Sequence, residues 1–491
     1  MSDDFPYMPV DAEHKATELR IGSFAAPHMR AFHLSWLGFM QSFISTFSAA
    51  PMAPYIRDSL SLTKTELVSA GVATVTTVIG MRVIMGPVCD KLGPRYGMAT
   101  LLLLFAPATL CLGLTTDGSN FLVCRMFIGI TLATFVTCQY WASIMFTGKV
   151  VGLANATAGG WGNLGGGITQ FLMPLLFAAV NGSGLIFRSW RYAMLIPGTL
   201  QILAGTAVLY LGQDTPDGQY AEVKKTGQLE DKDPMQIFKL GVLNYRMWIL
   251  VVLYAFCFGI ELTMNEIAAT YFFDHFGMNL KVAGAIASSF GLMNLFARSV
   301  GGGLSDWSSQ KFGMRGRLWV LFILLALEGL MCAAMGSQHK SLGGTIAFMI
   351  LFSIFVQASE GATYGVVPFT SCRAMGIIAG FVGAGGNAGA SINLTIWFKS
   401  EKYETYEGIQ NMGILIMCMS LLTFFIHFPM WGGMLFGPSE GAKEEDYFLA
   451  EFTKDEIAEG KDQKVSKWIE NSRFERPPST RDIGEPTKGM P

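Results

Sequence analysis

Two arginines interrupt long apolar stretches of this 491-residue sequence, and both have the chemistry to hold an anion. Arg82 lies within the stretch 66–88, and Arg298 lies within the stretch 281–303. A charged side chain at the centre of a bilayer costs roughly 2.5–3.5 kcal/mol on insertion scales. Because the chain accepts this cost twice at matched positions, we expect both charges to act on one ligand, which is predicted to be an anion.

Other residues repeat in the same order as the arginines. Each arginine precedes an aspartate by eight residues, at Asp90 and Asp306, and the pattern Gly-x-x-Gly-Asn-x-Gly recurs around Asn163 and Asn387. The arginines are 216 residues apart and the asparagines 224, which predicts an internal duplication. An amide in an apolar helix needs a hydrogen-bond partner, so both asparagines are predicted to line the ligand site. The surrounding glycines are equally consistent with close packing of helices.

The stretch 245–275 carries polar and aromatic side chains on one helix face. Tyr254, Phe258 and Glu261 are spaced i, i+4 and i+7, which places them on the same side of a helix. A hydroxyl, a ring and a carboxyl on one stripe suit the wall of a polar cavity. Ordinary helix packing is the alternative for Tyr254 and Phe258.

Carboxyl groups inside apolar stretches are candidate proton carriers, because an ionisable residue in a membrane segment is a functional candidate by default. Glu261 is the first candidate, with a structural hydrogen bond or ion pair as its alternative role. Glu266 lies just off the same helix face. Glu328 and Glu360 are weaker candidates of the same kind.

Membrane helices must position these residues. The chain is 51% hydrophobic and only 15% charged, against about 25% charged residues in soluble domains. Repeated apolar stretches of this length predict an all-α polytopic membrane protein. The predicted spans number twelve: 32–56, 66–88, 97–116, 120–147, 151–180, 192–212, 245–275, 281–303, 317–336, 343–370, 375–399 and 410–436.

Charge and cysteine usage exclude several other classes. The net charge of −2 gives no reason to expect a nucleic-acid partner. The eight cysteines form no Cys-x-x-Cys pair, and the six histidines have no ligand spacing, so neither a disulfide framework nor a metal site is predicted. We expect no cofactor. No activated nucleophile stands out, so nothing in the sequence supports an enzyme.

A long polar connection divides the chain into two halves of six predicted spans. The predicted parts are an N-terminal segment (1–31), a six-helix bundle (32–212), a linker (213–244), a second bundle (245–436) and a tail (437–491). A modest bias of Lys and Arg predicts that both termini, the linker and the tail are cytoplasmic. The charged tail is expected to be solvated and partly disordered. Within it, Tyr447 to Phe452 is the stretch that could dock on something.

These residues resemble the nitrate/nitrite porters of the major facilitator superfamily, and specifically the eukaryotic high-affinity nitrate transporters of algae and plants. The resemblance covers roughly residues 30–436 and rests on the twin arginines and the twin glycine–asparagine stretches. It implies the major facilitator fold, with twelve transmembrane helices in two six-helix bundles. It also implies a substrate site made of Arg82, Arg298, Tyr254, Phe258, Asn163, Asn387, Phe135 and Gln139.

The function implied by the resemblance is nitrate import across the plasma membrane, with nitrite as a second substrate. The chain departs from the bacterial porters in carrying Glu261, Glu266 and a long tail, which favours proton symport over exchange. Two alternatives stay open: a nitrate/nitrite exchanger, and a nitrate receptor that signals through its tail. The expected partners are nitrate, nitrite, protons and membrane lipid, with a single-span accessory protein as a further candidate.

Overall fold

The computed structural model describes residues 7–11, 14–147, 150–181, 186–225, 234–399 and 402–480, with gaps at 459, 461, 463–464, 467 and 470–471. Within this part of the chain, eleven helices are long and apolar enough to span a membrane. They are α2 (Lys64–Leu92), α3 (Pro94–Leu114), α4 (Gly118–Met145), α5 (Val151–Val180), α6 (Arg188–Leu211), α7 (Tyr245–Phe276), α8 (Leu280–Phe312), α9 (Met314–Ser337), α10 (Leu342–Thr370), α11 (Met375–Lys399) and α12 (Thr405–Phe425).

A further helix, α1 (His28–Phe47), occupies the place of the first predicted span. It is 20 residues long, but His33, Gln41 and three serines reduce its apolar character. These side chains are buried because α1 packs against α4, α5 and α6. The predicted set of twelve helices is therefore complete, with one member too polar to be recognised by hydropathy alone.

Short elements connect these helices or follow them. The connecting helices are Ala50–Met52, Ala53–Leu60, Ile186–Ala193, Tyr220–Lys225 and Pro234–Leu243. After α12, a two-stranded sheet pairs His427–Phe428 with Gly432–Gly433. The remaining helical turns are Glu444–Leu449, Lys454–Ala458, Arg473–Glu475 and Pro478–Thr480. Residues 226–233 of the predicted linker lie outside the described residues.

Three of the long helices are broken close to predicted site residues. A 3-10 turn (Ile130–Ala133) interrupts α4 just before Phe135. Helix α7 is interrupted between Ala255 and Phe258, and α8 is interrupted at Met293–Leu295, just before Arg298. Local changes of helix geometry of this kind often mark functional positions.

The halves meet along two pairs of helices, α2 with α11 and α5 with α8. Glycines make the second crossing close: a side chain on Gly167 would lie 2.5 Å from the backbone nitrogen of Leu292. Part of the glycine-rich stretch of α5 therefore serves helix packing, as the alternative interpretation of the sequence had it.

The segment around Ala16 and the described part of the tail lie at the same end of the bundle. The backbone of Ala16 pairs with the residues that follow α4, through bonds to Met145 and Thr147 of 3.0 Å each. The tail covers the start of α9, where Arg317 donates to Glu475 at 2.7 and 2.8 Å. The expectation of a solvated tail is wrong for these described residues. Phe448 in the predicted docking stretch is fully buried, and Glu475 is only 2% exposed.

Each half carries a matching ion pair at this end. Arg95 at the start of α3 forms an ion pair with Asp214, which follows α6, at 3.6 Å, and its backbone nitrogen donates to the same carboxylate at 3.0 Å. Arg317 at the start of α9 pairs with Asp306, at 2.6 Å, as well as with the tail. The side chain of Asp90, the counterpart of Asp306, lies outside the described residues. In both halves a carboxylate from the segment after the sixth helix holds the loop before the third.

Candidate functional site

Arg82 is buried in the middle of α2 with most of its donors free. Its side chain is 0% exposed. One terminal nitrogen, Nη1, donates to the carbonyl of Gly383 on α11 at 2.6 Å. Among the described residues, Nε and Nη2 have no hydrogen-bond partner. A buried guanidinium normally fills its donors, so this arrangement leaves a fork of N–H groups available to a ligand.

Arg298 on α8 is equally buried, at 2% exposure, but its charge is compensated. Nη1 forms a very short ion pair with Glu360 on α10, and Nη2 donates to the hydroxyl of Tyr254 at 3.0 Å. The two arginines therefore differ in their partners: Arg82 bonds to a backbone carbonyl and to no carboxylate among the described residues, whereas Arg298 forms an ion pair with Glu360.

Aromatic rings hold the two guanidinium groups near each other. The ring of Phe135 lies 4.9 Å from the guanidinium carbon of Arg82 and 5.9 Å from that of Arg298. Phe258 covers Arg82 at 5.0 Å, and its ring stacks on Tyr254 at 5.2 Å. Rings on guanidinium faces exclude water and leave the N–H edges for hydrogen bonding.

Tyr364 is a sixth member of this group of arginines and aromatic rings, and the sequence interpretation missed it. Its ring lies 5.2 Å from Tyr254, 5.8 Å from Phe135 and 5.9 Å from the guanidinium of Arg298. The available signal was its spacing, since Tyr364 follows Glu360 by one helical turn and shares its face.

A carboxyl cluster adjoins Arg298. Asn163 donates through Nδ2 to Glu261 at 3.0 Å and to Glu360 at 3.2 Å, so a single amide bridges two carboxyl groups. Asn294, one turn before Arg298, donates to the other oxygen of Glu261 at 2.6 Å. The sequence ranked Glu360 below Glu261, but Glu360 is the carboxyl that contacts the arginine. Asn294 was missed, although it is an amide inside an apolar stretch.

The second asparagine of the repeat does not mirror the first. Asn387 is fully buried, and neither its Oδ1 nor its Nδ2 has a hydrogen-bond partner among the described residues. It lies one turn after Gly383, whose carbonyl binds Arg82. Asn163 thus belongs to the carboxyl cluster, whereas Asn387 follows the residue that positions the free arginine.

Gln139 lies beside Arg298 without bonding to it. Its Nε2 donates to the carbonyl of Asn155 at 3.2 Å. A side chain at Gly159 would meet the Nε2 of Gln139 at 3.3 Å and the Nε of Arg298 at 3.4 Å, so both groups border the same small space. The glycine keeps that space open.

Glu266 lies apart from the other predicted residues. It follows Glu261 by five residues, or about 7.5 Å along the helix axis. Its partner is Arg125 on α4, with which it forms a very short ion pair. This pair borders a cavity of about 330 Å³ at the end of the bundle opposite to Ala16 and Glu475. Arg125 was missed, although it too is a charge inside an apolar stretch.

Comparison with known proteins agrees with this arrangement of helices. Residues 35–393 match the model of the Major Facilitator Superfamily. The chain is 47% identical over 486 residues to "Nitrate transporter 2.1" of Chlamydomonas reinhardtii, covering 97% of this chain and 88% of that protein. It is 48% identical over 471 residues to "High affinity nitrate transporter 2.5" of Arabidopsis thaliana, covering 96% and 94%.

Among solved structures, the crystal structure of a D-xylose-proton symporter matches with a TM-score of 0.60 at 14% identity, over 80% of this chain and 97% of that one. At this identity the likeness concerns the fold, and it confirms the predicted architecture of two six-helix bundles. The family consists of transporters rather than enzymes. The family model covers most of the chain, and the relatives from an alga and a plant are each more than 40% identical to it. The chain therefore belongs to the high-affinity nitrate transporters of the major facilitator superfamily.

Proposed function

We propose that this protein imports nitrate by proton symport, with alternating access around the two arginines. The observation that carries the proposal is that Nε and Nη2 of Arg82 have no partner among the described residues, in a site whose other arginine is paired with Glu360. A buried positive charge with open N–H groups suits one monovalent anion. The names of the relatives support nitrate as that anion.

The planar shape of nitrate fits this site. Nitrate is planar, and the guanidinium group presents a planar fork of donors, whereas a lysine would offer a point charge. Phe135 and Phe258 cover the faces of Arg82, so an anion approaches its edge. Tyr254, Asn387 and Gln139 are proposed to complete the lining, with Asn163 acting through the carboxyl groups that it bridges.

Charge balance explains why protons would accompany the anion. Arg82 and Arg298 are balanced when Glu261 and Glu360 are both ionised. Nitrate adds one negative charge to this buried group, and one proton on either carboxyl restores neutrality. Two carboxyl groups therefore give room for a second proton. Moving nitrate into a negative interior costs about 2.3 kcal/mol per 100 mV, and two protons per nitrate reverse the sign of that term.

The division of labour between the carboxyl groups follows from their positions. Glu360 and Glu261 are proposed to carry the transported protons, because both share Asn163 and one of them pairs with Arg298. Glu266 is proposed to take part at the cavity, where protons from solution would arrive. Nitrite, as a smaller anion of the same charge, is proposed as a second substrate.

The cellular setting belongs to the same proposal. The protein is proposed to lie in the plasma membrane with both termini in the cytoplasm, which is supported by the positions of Ala16 and Glu475 at one end of the bundle. The cavity beside Glu266 then opens to the outside. A single-span accessory protein remains a proposed partner.

The test is voltage-clamp current in oocytes that express the chain, with nitrate added at pH 5.5 and pH 7.5. The intact chain should give an inward current that grows at low pH, and Arg82→Lys and Arg298→Lys should abolish it. Surface labelling of each variant controls for expression.

Three results would separate the alternatives. Labelled nitrate uptake that is stimulated by internal nitrite and carries no current would indicate an exchanger. Current that requires a co-expressed single-span protein would establish that partner. Nitrate-dependent signalling that survives in a transport-dead Arg82→Lys variant would indicate a receptor.

A further inference from the structure

The cavity beside Glu266 has walls from both halves of the molecule. Its lining residues come from the loop between α1 and α2, the first turns of α2 and α4, the second half of α7, and the junction of α11 with α12. A space of about 330 Å³ between two bundles that must separate and close is a natural entry route for a small ion.

One ion pair at the wall of this cavity crosses between the halves. Arg125 is 2% exposed, and its terminal nitrogens donate to the carbonyl of Thr46 and to Glu266, both at very short range. The side chain of Glu266 is 10% exposed toward the cavity. Among the described residues, Arg125 is the hydrogen-bond partner that Glu266 has. A change of charge on Glu266 therefore acts first on Arg125.

The charges that line the cavity are balanced while Glu266 is ionised. The positive side chains are Arg57, Lys64 and Arg125, and the negative ones are Glu266, Asp274 and Glu404. Protonation of Glu266 would leave one net positive charge in the cavity.

The other groups on these walls do not substitute for Glu266. Arg57 is held by Asp274 through two bonds, of 3.0 and 3.3 Å. His275 and Tyr271 also line the cavity, and His275 bonds through Nε2 to the carbonyl of His339 at 2.9 Å. Among the described residues, neither of them forms a hydrogen bond or ion pair with Arg125.

We propose that this cavity is an outer binding site for a monovalent anion, formed by Arg125 when Glu266 carries a proton. The proton comes from the outer solution and binds a carboxyl oxygen of Glu266. The released Nη2 of Arg125 then donates to the anion. This inference rests on the proposed function and deepens it, since it fixes an order in which the proton binds first and nitrate second.

The proposal has a quantitative consequence for uptake. The apparent affinity of a site scales with the fraction of protein in the competent state. Above the pKa of Glu266, the external nitrate concentration at half-maximal uptake should therefore rise by about tenfold per pH unit. A glutamine at this position resembles the protonated acid and should remove that dependence.

The experiment measures initial rates of labelled nitrate uptake in oocytes over external pH 5.5 to 8. The variants are Glu266→Gln and Arg125→Lys, with Asp274→Asn and His275→Gln as matched controls. Glu266→Gln should give a half-saturation concentration that no longer changes with pH. Arg125→Lys should raise that concentration at pH 5.5 toward its value at high pH. Asp274→Asn removes one negative charge from the same cavity, and His275→Gln removes its histidine; both should keep the slope of the intact chain.

Two outcomes would overturn the outer site. One is a Glu266→Gln variant that keeps the full pH dependence. The other is an equal loss of slope in Asp274→Asn, which would show a general effect of cavity charge. If Glu266→Gln does not reach the cell surface, Arg125→Lys provides the test. A half-saturation concentration for nitrate at pH 5.5 that equals that of the intact chain would then overturn the outer site. A failure of the outer-site proposal can be distinguished from a failure of proton symport. If symport were wrong, the intact chain would take up nitrate without a proton current, however its half-saturation concentration varied with pH.

Discussion

The two halves carry matching arginines in unlike surroundings. Arg82, in the first half, bonds to one backbone carbonyl and lies against two rings, with two donors free among the described residues. Arg298, in the second half, is bonded to Glu360 and Tyr254. The buried carboxyl groups that approach this site also lie in the second half, on α7 and α10. Under the proposed function, the first half supplies the arginine with open donors for the anion and the second half supplies the carboxyl groups for the protons.

The largest loss of stability should come from replacing Arg298, which is paired with a carboxylate, rather than Arg82, which is not. Arg298→Gln leaves Glu360 buried without its counter-charge, which costs about 3–5 kcal/mol when one partner of a buried pair is lost. Arg82→Gln removes a charge that has no carboxylate partner, so its stability should change little. Thermal unfolding in detergent at pH 8 measures both.

A double variant, Arg298→Gln with Glu360→Gln, is the control for this comparison. It removes both charges and should recover most of the lost stability. Equal destabilisation by the two single arginine variants would refute the assignment of unlike roles.

Proton coupling should depend on Glu360. Each transported proton contributes about tenfold to the accumulation ratio per pH unit of gradient. Glu360→Gln should therefore lower nitrate accumulation by about that factor while preserving exchange of labelled for unlabelled nitrate. Tracer uptake and counterflow in proteoliposomes separate the two. The matched control is Glu328→Gln, which should keep nitrate accumulation. Glu328 is a buried carboxyl on α9 without an ion pair among the described residues.

The two signature asparagines should also behave differently. Asn163→Ala deletes the donor shared by Glu261 and Glu360, and leaving buried acceptors unsatisfied costs about 1–3 kcal/mol. Asn387→Ala removes no hydrogen bond formed within the described residues, so its stability should be unchanged while nitrate affinity falls. Unfolding and binding measured on the same samples test this; a loss of stability in Asn387→Ala would contradict it.

The smallest effect concerns the ends of the halves. Arg373 holds the pKa of Glu456 in the tail well below its ordinary value, whereas burial raises the pKa of Asp214 after α6. A lowered pKa gives stability that is complete above the ordinary value of about 4.3 and is lost as pH falls further. For a carboxyl group with a raised pKa, stability increases as the pH falls, so acid does not weaken the packing of Asp214. The tail should therefore detach first, below about pH 4.

Hydrogen exchange of the tail amides at graded pH, with every sample quenched and digested under the same conditions, measures this release. Glu456→Gln should weaken tail docking already at neutral pH and should reduce the acid-dependent step. Release of the loop at Arg95 before the tail would contradict the difference between the two halves.

The sequence by itself determined the class of protein, and it singled out most of the side chains that the structure brings together around Arg82 and Arg298. Arg82 and Arg298 could be recognised because a charge in an apolar stretch is costly enough to require a purpose. Tyr254, Phe258 and Glu261 could be placed on one face because helical periodicity is a local property. The tail was misjudged for the opposite reason, since its charged composition conceals partners such as Arg317 and Arg373 that lie far away in the chain.

Only the tertiary structure decided which charges meet. Glu360 joins Arg298, and Glu266 joins Arg125, because helices distant in sequence cross at those levels of the bundle. Two residues five positions apart on α7, Glu261 and Glu266, consequently belong to different sites. A sequence repeat predicts which side chains enter the core. The energy of a buried charge, however, depends on the side chain that faces it from another helix, and the local sequence pattern does not contain that information.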